Sequence, residues 1–195
     1  MILNLIILVA LVWAFMVGYS RGLILQVIYS FGTIIAAFIA ASNYKELAQK
    51  LSIWVPFSNA TENSHLLLFS DKLLFQLDDA FYASISFLAI FIVVYAIIRL
   101  IGLFLHFALS PLGRNGKIIA GILGFAATYF GLQMVLMVLS LVPIVAVQSQ
   151  LDASFLARFM VLHTPISSGI LQNLFIENIV HINPLGSVSY THLRA

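Results

Sequence analysis

Five histidines, seven carboxylates and nine lysines and arginines are the groups in this 195-residue chain able to do acid–base chemistry or bind metal. Proton-transfer catalysis needs such groups gathered in one protected place. His65, His106, His163, His181 and His192 are far apart and show no His-x-x-x-His spacing, and the carboxylates fall outside the long apolar stretches. No metal constellation emerges from them. The chain has no cysteine, which excludes disulfides, thiolate metal sites and a cysteine nucleophile. Gly113-Arg114-Asn115-Gly116-Lys117 has the glycines and lysine of a phosphate loop but neither its spacing nor its hydroxyl residue. The expectation is a non-enzyme without cofactor or metal.

Three polar residues stand inside apolar sequence: Gln26, Arg99 and Gln133. An ionisable group at the centre of a bilayer costs about 2.5–3.5 kcal/mol on insertion scales, so carriers that move protons or ions keep such groups for use. Arg99 is the sole charge inside an apolar span and lies close enough to its end to snorkel to the surface. Gln26 and Gln133 are expected to make hydrogen bonds between helices. A pore lined by backbone or amide groups stays open as an alternative.

The elements that position these residues must be membrane helices. Of the chain, 62% is hydrophobic and 8% charged, with a mean hydropathy of +1.08. A soluble domain is roughly a quarter charged, so a water-soluble fold of this composition would expose large apolar patches. The lipid bilayer is therefore the first partner. The surplus of two positive charges, scattered along the chain, is no basis for nucleic-acid binding.

Crossing about 30 Å of hydrocarbon takes about 20 apolar residues at 1.5 Å each. Four stretches qualify, at about residues 2–17, 23–41, 81–104 and 118–145. The fold class expected is all-α, an integral membrane bundle of four transmembrane helices with short amphipathic interfacial helices. The first stretch lacks the basic start of a secretory signal, and Phe15-Met16-Val17 is a poor cleavage site. The tight turn at residues 18–22 predicts that the first two spans form a helical hairpin. Pro143 should kink or end the fourth helix. Asp78 and Asp79 suit the positive end of the third helix's dipole.

Lipid tails are as apolar as leucine, so membrane helices associate through close approach at small residues. Ala10, Ala14 and Gly18 recur every fourth residue in the first span, as do Gly32, Ala36 and Ala40 in the second. Ala120, Gly124 and Thr128 repeat the pattern in the fourth, with Gly121 and Gly131 nearby. Each set lies along one helix face, and these are the expected packing seams.

Four spans place Arg21, Arg99, Arg114 and Lys117 toward one side, and all seven carboxylates on the other with Lys45, Lys50, Lys72 and Arg158. Positive residues in short loops mark the cytoplasmic side. Both termini are then expected outside, in a multi-pass protein of the plasma membrane.

Residues 44–55 set Tyr44, Leu47, Ala48, Leu51, Trp54 and Val55 at helical intervals, with Lys45, Glu46, Gln49 and Lys50 facing away. They read as an interfacial continuation of the second span, supported by a Glu46–Lys50 pair. Leu66–Leu77 is too short to span and is expected on the membrane or slightly within it. Residues 149–180 are expected to form amphipathic helices. Ser149 and Asp152 there resemble a capping box before a face of Leu151, Phe155, Phe159 and Leu162, and Ile170, Leu171, Leu174 and Phe175 mark a second helix beyond Pro165. Packing on the bundle is the expected fate of these faces.

Two segments carry a family resemblance. One is Gly18-Tyr19-Ser20-Arg21-Gly22-Leu23-Ile24-Leu25-Gln26, a tight turn opening the second span; the other is the basic loop Leu112-Gly113-Arg114-Asn115-Gly116-Lys117 running into Ile118-Ile119-Ala120-Gly121-Ile122-Leu123-Gly124-Phe125. With four spans in this order, the chain resembles the colicin V production protein (CvpA) family over about residues 1–180. Ser154-Phe155-Leu156-Ala157 and His163-Thr164-Pro165 are similar to the tail of Gram-positive members. The resemblance implies a bacterial inner-membrane protein tied to toxin (bacteriocin) production or export and envelope maintenance, with no catalytic residues to carry over. It is expected to act with a membrane-protein partner or as a homo-oligomer; a small oligomeric channel or transporter is the alternative. The 42–80 connection is longer than in shorter members. Val188–Ala195 reads as a translated sequencing adapter and is set aside, the natural sequence being expected to depart near Ser187.

Overall fold

The structure, a computed structural model, describes residues 2–54, 66, 68–69, 77–106 and 114–180. The expectations for Val55, for most of Leu66–Leu77 and for residues 188–195 lie outside the described residues. Four long helices follow in order: α1 (Ile2–Arg21), α2 (Leu23–Trp54), α3 (Leu77–His106) and α4 (Arg114–Ser140). Short helices complete the chain: α5 (Val145–Asp152), α6 (Phe155–Arg158, widening into a π turn over Phe159–His163), α7 (Ser167–Gln172, widening over Asn173–Glu177) and α8 (Asn178–Val180). No strand occurs among the described residues.

All four long helices are apolar and long enough to cross a bilayer. Their outward faces are those of a lipid-solvated protein: Trp13, Phe38 and Phe104 are 68%, 73% and 76% exposed. In water such surfaces would aggregate; in hydrocarbon they cost nothing.

Several boundaries depart from the sequence reading. α1 continues to Arg21, and the turn is Gly22 alone, at φ 89°. Only glycine enters that region freely, which is how two helices join with one residue between them. The two do not pack as a hairpin. α1 lies along α4 and α2 along α3, while α1 and α2 touch only slightly. α4 ends at Ser140 rather than near 145. Pro143 has no N–H with which to continue the ladder, and Leu141-Val142-Pro143-Ile144 forms the turn into α5.

α2 runs unbroken for 32 residues, about 48 Å at the helical rise and well beyond the hydrocarbon thickness. It is long enough for its last turns to extend beyond the membrane. Lys50 Nζ donates to Glu46 Oε1 there at 2.7 Å, both side chains exposed. Tyr44 turns inward and is 2% exposed.

The C-terminal helices close one end of the bundle. The capping box expected at Ser149 does not form: Ser149 sits inside α5, its hydroxyl bonded to the Ala146 carbonyl. The cap is Ser154, whose Oγ accepts from the Ala157 N–H at 3.1 Å and donates to Asn4 Oδ1 at 2.5 Å. Asn4 also accepts from the Leu156 N–H, tying the start of α1 to the start of α6. The break at Ala153–Ser154 resets the helical phase. Leu151, Phe155, Phe159 and Leu162 therefore do not share one buried face: Leu151 is buried, whereas Phe155 and Phe159 are exposed. Ala157, Met160 and Val161 point inward instead.

The segments Phe155–His163 and Ser167–Glu177 meet at a 74° bend. Pro165 lacks the N–H that the Val161 carbonyl would take in a regular helix. Gln172 Nε2 supplies a donor to that carbonyl at 2.9 Å, and the neighbouring Met160 carbonyl accepts from Thr164 Oγ1 at 3.0 Å and from Gln133 Nε2 of α4 at 2.7 Å. Inside this cap, Tyr44, Phe87 and Phe175 meet edge to face at 5.0–6.4 Å between centroids, and Tyr44 Oη donates to the Leu174 carbonyl at 2.9 Å. Leu66, Leu68 and Phe69 belong to the same buried cluster.

Candidate functional site

The opposite end of the bundle is held differently. Arg21 closes α1, and Arg99 stands seven residues before the end of α3, about 10 Å along the axis. Both guanidinium groups lie over one ring, Tyr29 of α2, at 5.3 Å for Arg21 and 4.9 Å for Arg99. Arg99 also covers Tyr95, one turn earlier on its own helix, at 5.6 Å. Arg99 does not simply snorkel outward. The electron-rich ring faces attract its charge and offset part of the burial cost. Tyr29 is 5% exposed and clamped by Gly102, where a Cβ would overlap its ring. Ion pairs among the described residues are Lys50–Glu46 and Arg158–Asp152, so neither Arg21 nor Arg99 has a carboxylate partner there.

Two grooves open sideways from this pair. The first, about 690 Å3, runs along α1 past Ile6, Ala10 and Trp13 and is floored by Gly124 and Thr128 of α4. The second, about 790 Å3, follows α2 and α3 past Leu25, Phe91 and Leu103. Arg21, Tyr95 and Arg99 line both. Gln26 lines the first and is 2% exposed; its Oε1 accepts no hydrogen bond. The inter-helix bond expected of both glutamines is thus made by Gln133 and not by Gln26.

The small residues fall into two groups. A Cβ added at Gly18 would stand 2.5 Å from the Ala120 carbonyl oxygen, and one at Gly124 2.8 Å from that of Ala14. These residues let the α1 and α4 backbones touch, and Gly121 receives the Phe15 ring at the same crossing. Gly32 receives Ile98 of α3, and Ala36 and Ala40 are fully buried in the main cluster. Ala10 and Thr128 line the first groove, together with the groove-facing edges of Ala14 and Gly124. Gly131 meets nothing within 4 Å. Arg114 opens α4, and Lys117, one turn on, is half-buried.

Among the described residues, no group of three His, Asp or Glu side chains is placed to hold a metal ion. The arginine pair was missed in sequence, although Tyr95 and Arg99 at i,i+4 spacing were a visible signal. Four helices long and apolar enough to cross a bilayer, with apolar outward faces, define an integral membrane protein.

The family model for the colicin V production protein matches residues 3–165, and the chain belongs to that family. It is 32% identical over 177 residues to the uncharacterized transmembrane protein YshB of Bacillus subtilis (strain 168), covering 90% of this chain and 98% of the relative. No solved structure matches the chain.

Proposed function

We propose that this chain is a non-catalytic component of the bacterial inner membrane that supports toxin (bacteriocin) production or export and envelope function, engaging a membrane-protein partner or further copies of itself. The observation that carries the reading is the Arg21–Arg99 pair. Two cations without carboxylate partners among the described residues, at the mouth of lateral grooves, suit recognition in the plane of the membrane, where each charge carries a cost and is retained for a use. Turnover would call for a cluster of reactive groups, and family membership supports the link to toxin production. The basic end, with Arg21, Arg99, Arg114 and Lys117, faces the cytoplasm in this reading, and both termini lie outside.

Crosslinking and affinity capture from native membranes test it, with the wild type beside Arg21→Gln/Arg99→Gln. A defined partner or self-crosslink present in the wild type and lost in the double variant is expected. An uncrosslinked monomer, in a deletion strain unchanged in toxin production and envelope resistance, would overturn the proposal. The second reading, an oligomeric channel or transporter, draws on the buried, unbonded Gln26 Oε1 beside the first groove. The aromatic cap at the far end leaves such a path to run between copies. Proteoliposome flux that changes with Gln26, Gln133 or Arg99 would favour it.

A further inference from the structure

A headgroup site with two diverging apolar arms has the shape of a diacyl lipid. We infer that Arg21 and Arg99 bind the phosphate of an anionic phospholipid, one acyl chain lying in each groove. The inference rests on the bundle being embedded in lipid; on it, a protein partner meets this end of the bundle through the bound lipid and not by direct contact with the arginines.

Three observations carry it. The first is charge. Both guanidinium groups face the shared mouth of the grooves, and among the described residues neither has a carboxylate partner. Arginine donors are suited to phosphate oxygens, and the bonds strengthen where water is excluded. Tyr29, held by Gly102, fixes the two cations on a common platform.

The second is shape. The two grooves share the arginines and Tyr95 and then separate, one along α1 and α4, the other along α2 and α3. Each falls within the roughly 300–1,000 Å3 of typical small-ligand pockets. From Arg21 back to Leu5 the first groove follows α1 for about 24 Å, more than the roughly 15 Å of hydrocarbon in one leaflet. A chain entering at the arginines thus has apolar wall along its full length.

The third is the unpaired acceptor. Gln26 Oε1 is buried beside the first groove with no donor, a state that costs free energy until a donor arrives. With the Gln26 amide turned toward the groove, a headgroup carrying a hydroxyl beside its phosphate would satisfy it. Phosphatidylglycerol has both groups, and phosphatidylcholine has neither the net charge nor the hydroxyl.

The full chain, purified in mild detergent, is titrated with dioleoylphosphatidylglycerol, dioleoylphosphatidylcholine and water-soluble glycerol phosphate, and bound lipid is read by native mass spectrometry beside the thermal midpoint. A basic residue at an anionic surface contributes about a factor of five, so the pair predicts roughly thirtyfold tighter binding of phosphatidylglycerol than of phosphatidylcholine. That preference is lost in Arg21→Gln/Arg99→Gln. It is weakened in Ala96→Trp, which fills the second groove from an exposed position on α3. Should the double variant fail to fold, the wild-type lipid ratio and Ala96→Trp decide. Equal binding of both lipids, a preference that survives loss of both arginines, or a groove mutation without effect would overturn the proposal. So would glycerol phosphate competing as well as the lipid, since the site would then read the headgroup alone. A co-purifying protein that the lipid fails to displace would make the occupant a protein partner and refute the lipid assignment.

Discussion

The two ends of this bundle are held in different ways, one by interlocked aromatic rings and one by two arginines over a single ring. At the capped end Tyr44, Phe87 and Phe175 interlock, and Gln172 meets the Val161 carbonyl that Pro165 leaves without a donor. Gln133 bonds the Met160 carbonyl there while its own Oε1, like Ser86 Oγ, stays unbonded. At the basic end the polar groups are left in surplus: two guanidinium groups share one phenol ring, and Gln26 keeps an unbonded oxygen beside an open groove. Buried polar groups are ordinarily paired, and an exception asks for an explanation. On the proposed reading the aromatic cap closes the fold and the arginines do the recognising.

Substitutions separate the two ends, and the largest effect is expected in the cap. Phe175→Ala removes a ring 1% exposed at the centre of the aromatic cluster and should cost about 3–5 kcal/mol, read as a large fall in the thermal midpoint in detergent. An unchanged midpoint would show that the cap is not what holds the bundle. Next comes the α1–α4 crossing. Gly124→Leu pushes a side chain against the Ala14 carbonyl and the Gly18 backbone, and overpacking of this kind costs about 1–3 kcal/mol. A protein as stable as wild type would mean that the two helices can move apart freely.

A gain is expected at the turn between α6 and α7. Ile166 is 81% exposed and holds φ 70°, a region that a β-branched residue enters at a cost of about 1–3 kcal/mol. Ile166→Gly should raise the midpoint by relieving it, and a fall would place the residue's value in contacts of its side chain. The smallest effect on stability belongs to Arg99→Gln. It loses ring contacts worth about 0.5–1 kcal/mol at partly exposed sites and should leave the midpoint almost unmoved while lowering the lipid preference. A collapse of the fold in this variant would erase the distinction between the ends.

Much of the architecture was legible in the sequence because hydropathy reports directly on lipid. Four apolar stretches became four long helices, and the Glu46–Lys50 pair forms, exposed, near the C-terminal end of α2. The partners of each helix were not legible. In a bilayer every face is apolar, so periodicity does not say that α1 lies on α4 rather than on α2. The end of α4 was hidden for the same reason: Leu141-Val142-Pro143-Ile144-Val145 is apolar throughout, and only Pro143 hints that the helix has stopped. The C-terminal helices were misphased because Ser154, not Ser149, starts α6, and because π turns shift the register beyond it. Arg99 could be placed near a surface by counting residues, but its ring platform depends on Tyr29, seventy positions away and brought close only by the α2–α3 contact.

The division between a stabilising end and a recognising end is tested most directly by one paired measurement on Arg21→Gln/Arg99→Gln in a deletion strain: its amount and thermal midpoint in the membrane fraction, and its restoration of toxin production and envelope resistance. A protein of near-normal amount and midpoint that fails to restore function is expected. Full restoration of function by this variant would contradict the account.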